Sequence, residues 1–239
     1  MILNLLIFIG ILFLLIEINH SIKINSPLVL KPIKFKKNIS NTKQKYITLV
    51  EIKNSHKRME VMIPSFKVNP QLIGISNEEI IKIDTKIKPL HPDSEEDQKN
   101  DYWSAYIVKN KKSTLVRIEV EFEIQNSAVD NFKCLWIDIE WFNYGPFGLL
   151  RRFDGFVLPN YFDIIEENIS NTNSIAPIKT HILGSLDDPI SILKSYLPIN
   201  YLPTDILTIG ESPLAIMQGN YIDYRTIHIS LLSRLLCKG

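Results

Sequence analysis

The chain opens on an apolar run and then changes period twice. Met1 to Ile18 is interrupted only by Asn4, Gly10 and Glu17. A helix rises about 1.5 Å per residue and a bilayer core needs roughly 17–25 residues, so residues 1–18 predict a transmembrane anchor. No Lys or Arg precedes the run and no small-x-small site follows it, which favours an uncleaved anchor over a signal peptide. Lys23, Lys31, Lys34, Lys36 and Lys37 all come after it, and positive charge favours the cytoplasmic side of a membrane. The expectation is a single-pass membrane protein with its body on the cytoplasmic face. Residues 19–42 read as a Pro-, Lys- and Asn-rich linker.

From residue 43 the period becomes two. Tyr46 to Ile52, Met59 to Ile63 (ended by Pro64), Ile80 to Asp84 and Trp103 to Val108 are short runs of β-branched and aromatic residues. Leu115 to Ile124 is the clearest: Val116, Ile118, Val120, Phe122 and Ile124 alternate with Arg117, Glu119, Glu121 and Glu123. Such a strand packs one face and solvates the other. Leu135 to Phe142 alternates likewise, and Gly145-Pro146-Phe147-Gly148 turns the chain. Several such strands predict an antiparallel β-sandwich over residues 43–163.

After a polar linker at 166–174 the pattern predicts strand, helix, strand, helix over residues 175–239. The strands are 178–183 and 205–210. The first helix covers 187–197. Ser212 fits an N-cap with Pro213 at the first helical position, and Gly219 fits a left-handed stop. Residues 227–236 are expected to form an apolar helix that wants a partner surface, with another protein chain among the partners it would fit. The fold class expected is mixed α+β: a transmembrane helix, a β-sandwich and a short α/β segment.

Composition narrows the function classes. The 239 residues are 45% hydrophobic and 22% charged, with mean hydropathy +0.03. Net charge is +1, without the strongly basic domain of a nucleic-acid binder, so no nucleic-acid partner is expected. Cys134 and Cys237 cannot by themselves make a disulfide framework or a four-ligand zinc site. His91 to Asp97 reads as a solvated acidic loop, and no metal site is expected. Trp103, Trp136 and Trp141 read as core, and Arg151-Arg152 as a solvated strand start or a headgroup contact. A strand entering a helix N-terminus points free N–H groups at a ligand. Gly210, Glu211 and Ser212 are therefore the candidate cofactor-binding residues, for a phosphate or carboxylate, although neither a Gly-x-Gly-x-x-Gly nor a Walker lysine accompanies them. No residue is assigned a catalytic role.

Thr180-His-Ile-Leu-Gly-Ser-Leu-Asp-Asp-Pro189 and Pro203-Thr-Asp-Ile-Leu-Thr-Ile-Gly-Glu-Ser-Pro-Leu-Ala-Ile-Met-Gln-Gly-Asn-Tyr-Ile222 resemble the start of the coenzyme F420-0:L-glutamate ligase fold. His91-Pro-Asp93, Asp101 to Thr114 and Trp141 to Gly148 resemble a membrane-anchored branch of cyanobacterial type, F420-0:gamma-glutamyl ligase-like. The resemblance implies ligation of L-glutamate to a phosphorylated acid cofactor, with GTP and Mg²⁺ or Mn²⁺. At the positions where that family carries nucleotide-facing lysines this chain has Ser212 and Ile216, and the family's metal-binding aspartates lie further downstream. The expectation is accordingly a membrane-anchored ligase-like protein, inactive or truncated, serving as a binding or assembly module. The alternatives are an active nucleotide- and metal-dependent ligase and a periplasmic ligand-binding β-sandwich.

Overall fold

The computed structural model describes residues 2–22, 26–40, 42–92, 103–160, 177–197, 204–227 and 229–237. Eight strands form two four-stranded antiparallel sheets. They are β1 (Leu28–Ser40), β2 (Lys43–Asn54), β3 (Val61–Ile73), β4 (Ile80–Leu90), β5 (Tyr106–Val108), β6 (Ser113–Ile124), β7 (Cys134–Gly145) and β8 (Gly148–Pro159). Sheet A has the order β1-β2-β6-β4 and sheet B the order β5-β3-β7-β8. One apolar core lies between them. Sheet A contributes Tyr46, Val50, Ile118 and Phe122; sheet B contributes Phe66, Ile137, Ile139 and Trp141.

The alternation read from the sequence produces this core directly. In β6 Val116, Ile118, Val120, Phe122 and Ile124 are buried, while Glu119, Glu121 and Glu123 look outward. Outside sheet A these glutamates meet basic side chains of β2 and β6. Lys45 Nζ lies 3.0 Å from Glu119, Arg117 lies 2.7 Å from Glu119, and Lys43 lies 3.6 Å from Glu123. Exposed pairs of this kind contribute little individually. The turn at 145–148 closes the β7–β8 hairpin, with Gly148 at φ +85°.

Several expectations need correction. Residues 28–40, read as linker, form β1 and pair along their length with β2. A register shift between Pro32 and Lys34 breaks the alternation there, which is why the strand reads as a polar stalk. Pro64 does not end β3 but sits in a register shift between Met62 and Ser65, where no regular ladder bond is required of it.

The transmembrane anchor is also corrected. Helix α1 (Ile2–Ile22) does form, but among the described residues no helix is long and apolar enough to cross a membrane. The stretch between Asn4 and Glu17, Leu5 to Ile16, is itself interrupted by Gly10. Its dozen or so residues span about 18 Å, against a hydrocarbon core of about 30 Å. The single-pass placement with a cytoplasmic body falls with it.

The α/β segment also needs correction. Among the described residues after β8 there is no strand. Helices α2 (Pro189–Tyr196), α3 (Glu211–Met217) and α4 (Leu231–Leu236) are joined by irregular chain. Residues 178–183 are irregular, and 205–210 are irregular and largely exposed, with Ile206 at 89%. A strand needs a neighbour to take up its N–H and C=O groups, and neither stretch has one in the two sheets. The N-cap of α3 is Gly210, not Ser212, and its first helical bond runs from the Leu214 N–H to the Gly210 carbonyl. Gly219 is left-handed at φ +73°, as expected of a helix stop. The apolar helix expected from 227 begins only at Leu231, after an N-cap at Ser230, and packs beside α1.

Candidate functional site

Gly210, Glu211 and Ser212 lie together on the surface at the start of α3, a helix of seven residues. All three are exposed, and Glu211 places a carboxylate where a phosphate would approach. Such an anion is disfavoured beside a carboxylate unless a cation intervenes. Among the described residues no group of three His, Cys, Asp or Glu could hold a metal ion.

A buried polar node lies on the neighbouring stretch. Asp188 caps α2 through its side chain, which accepts the Ser191 N–H at 2.8 Å. This anchors the loop before the helix. Within it Asp187 Oδ2 accepts the Gly184 N–H at 2.8 Å and faces His181 Nε2 at 3.2 Å. The other ring nitrogen, Nδ1, is 2.6 Å from the Tyr196 hydroxyl on α2. An Asp–His–Tyr chain is chemically capable of moving a proton, but His181, Asp187 and Tyr196 are all buried. Its contacts tie the loop 181–187 to α2, and Ile192, Tyr196 and Met217 complete a small apolar cluster around it.

The most elaborate polar arrangement joins the C-terminal segment to sheet B. Trp136, Asp138 and Glu140 share the outer face of β7, opposite Val157, Gly155 and Phe153 of β8. Across this face runs the turn Tyr224–Thr226, whose N-cap Asp223 accepts the Arg225 N–H at 2.8 Å. The Asp223 carboxylate also takes Nε of Arg225 at 3.0 Å and one terminal nitrogen at 2.7 Å. These bonds hold Asp223 below the usual carboxylate range. The guanidinium then reaches Asp138, 87 residues away in sequence, through both terminal nitrogens. Its Cζ lies over the Phe153 ring, 4.4 Å from the ring centre. Next to it Thr226 Oγ1 accepts the Phe153 N–H at 3.0 Å and donates to the Phe153 carbonyl at 2.9 Å. Tyr221 donates its hydroxyl to the Gly155 carbonyl at 2.6 Å. Sequence reasoning missed this group. Arg225 beside Asp223 looks like a solvated pair, and only the β7–β8 register brings Asp138 to it.

The remaining singled-out residues are structural. Asp93 to Asp97 lie outside the described residues, but His91 is buried, not solvated. It stacks on Tyr106 with ring centres 4.0 Å apart and lies 2.8 Å from Thr114 Oγ1. Burial pushes its pKa down. Trp141 is fully buried and donates to Asp154 Oδ2 at 2.7 Å; Trp103 donates to the Ile63 carbonyl at 2.8 Å. Trp136 covers Gly155, where an added Cβ would lie 2.4 Å from its ring. Arg151 pairs with Glu140 at 2.8 Å, and Arg152 donates to the Leu28 carbonyl at 2.6 Å. Burial raises the Cys134 thiol to about 11, whereas Cys237 is exposed.

No curated protein matches the chain. A family model does: the F420-0:gamma-glutamyl ligase N-terminal Ig-like domain, over residues 29–162. That range runs from β1 to just past β8, and so covers the whole sandwich and more than half of the chain. The chain belongs to the family of proteins that carry the N-terminal Ig-like domain of F420-0:gamma-glutamyl ligase.

Proposed function

We propose that this chain is the non-catalytic Ig-like module of a glutamate-ligase-type protein, a binding and assembly sandwich that carries and orients a ligase-like C-terminal segment. The observation that carries the reading is the coincidence of the family match with the sandwich. The matched region is a two-sheet Ig-like fold whose interior is filled by side chains. The polar groups of residues 181–226 support it too. Among the described residues, those of the His181 node and Arg225 are engaged in fixing the segment. The exposed Gly210–Ser212 corner lacks the cations that phosphoryl chemistry needs.

Thermal unfolding of the full chain with GTP, L-glutamate and Mg²⁺ or Mn²⁺ tests this reading. The expected result is an unchanged midpoint at millimolar nucleotide. A ligand at a hundred times its Kd adds about 2.7 kcal/mol. An upward shift of that order, abolished by chelation of the metal, would favour the ligase over the module.

A further inference from the structure

We infer that the outer face of sheet B is a docking seat for the C-terminal segment, and that Asp223-Tyr224-Arg225-Thr226 is the key that fits it. This names the surface through which the proposed module holds its segment, and it rests on that reading for its purpose, though not for its geometry.

Three features make the seat selective. The first is a fixed fork. Asp223 clamps Arg225 through the backbone N–H, Nε and a terminal nitrogen, so the guanidinium is oriented before it meets the sandwich. The second is a matched socket. Asp138 is buried on the outer face and takes both terminal nitrogens, while the guanidinium carbon sits over the Phe153 ring. Lysine cannot reproduce this, because a point charge neither forks between two carboxylates nor lies flat on an aromatic ring. The third is the strand edge. Phe153 pairs with Glu140 on one side of β8, and its own N–H and C=O point away to the free side, where one threonine hydroxyl satisfies both. Gly155, two residues on, presents its carbonyl on the same side to Tyr221. Glycine is needed there because Trp136 occupies the place of a Cβ. The segment is thus recognised by side chains reading a β-edge, with no added strand.

The Phe153 amide reports on the seat. Its partner is Thr226, so its hydrogen exchange measures how often the segment leaves. In the full chain, Arg225→Gln and Thr226→Val should each speed Phe153 exchange by about tenfold or more. The Ile118 amide, on a central strand of sheet A, should stay unchanged, and Arg225→Lys should resemble Arg225→Gln. Unchanged Phe153 exchange in Arg225→Gln would overturn the seat, with Thr226→Val, which removes the amide's own acceptor, setting the upper limit of the rise. An equal rise at Ile118 would overturn it as well, since Arg225 would then be holding the sandwich and not the segment. Nucleotide binding would sink the non-catalytic reading without altering any of these rates.

Discussion

Replacing Trp141 with phenylalanine probes how the sandwich tolerates ionised groups beside its core. The indole is fully buried on β7. Its Nε1 donates to Asp154 at 2.7 Å, and the Arg152 guanidinium lies 5.0 Å from the ring centre. Burial raises the Asp154 pKa; Arg152 and this indole bond oppose that rise. Phenylalanine keeps one ring and removes the donor. The lost apolar area and a void of roughly 40 Å³ together cost about 1–2 kcal/mol. The bond to a carboxylate adds about 1.5–3 kcal/mol. The sum is a loss of about 2.5–5 kcal/mol, read by urea unfolding followed by far-ultraviolet circular dichroism, since tryptophan emission itself changes. Asp154→Leu and the double variant complete a cycle. If the indole bond matters as argued, the coupling energy should be about 1.5–3 kcal/mol. A total loss below about 1 kcal/mol, or simple additivity in the cycle, would refute the reasoning.

Other outcomes follow from single residues. Gly74 is left-handed at φ +94° and an added Cβ would lie 2.2 Å from the Asn131 carbonyl oxygen, whereas Gly148 at φ +85° has nothing within 4 Å. Gly148→Ala should therefore cost about 1–2 kcal/mol, and Gly74→Ala clearly more, by chemical denaturation. His91 has a folded pKa below its unfolded value, so it favours the fold when neutral. Stability should fall as pH drops below about 6.5 and level off beneath the folded pKa. His91→Gln should flatten that part of the stability–pH curve, and an unaltered slope would exclude His91 as its source. With its thiol at about 11 and buried, Cys134 should resist alkylation at pH 8, so the native chain should show one fast thiol, Cys237, and two in denaturant.

What the residues disclose depends on whether a strand's two faces differ. In β6 every second residue is charged and the rest are β-branched or aromatic, so strand, register and core were legible together. In β1 the register shift after Pro32 changes the phase midway: Leu28, Leu30 and Pro32 are the covered positions before it and Phe35 after it, so no single period runs the length of the strand. Residues 205–210 illustrate the opposite failure. Their apolar run suggested a buried strand, but burial depends on a neighbour, and Ile206 stands in solvent. The apolar helix at the N-terminus was foreseen as a helix, but no helix among the described residues is long and apolar enough to cross a membrane. The helix start at Gly210–Ser212 was legible to within two residues: the expected N-cap was Ser212 and the cap is Gly210, so Glu211 opens the helix. The Arg225 contact was invisible because its meaning lies in Asp138 and Phe153, which only the folded hairpin presents.

The hydroxyl contacts along β8 have a consequence for the solution behaviour of the chain. An open strand edge is a template on which a second polypeptide can lay its own backbone, and proteins blunt such edges with charge, proline or cover. Here the cover is a hydroxyl from Thr226 and another from Tyr221. Lifting that cover leaves the core intact but uncaps β8, so the first symptom of a weakened segment should be aggregation at an unchanged melting temperature.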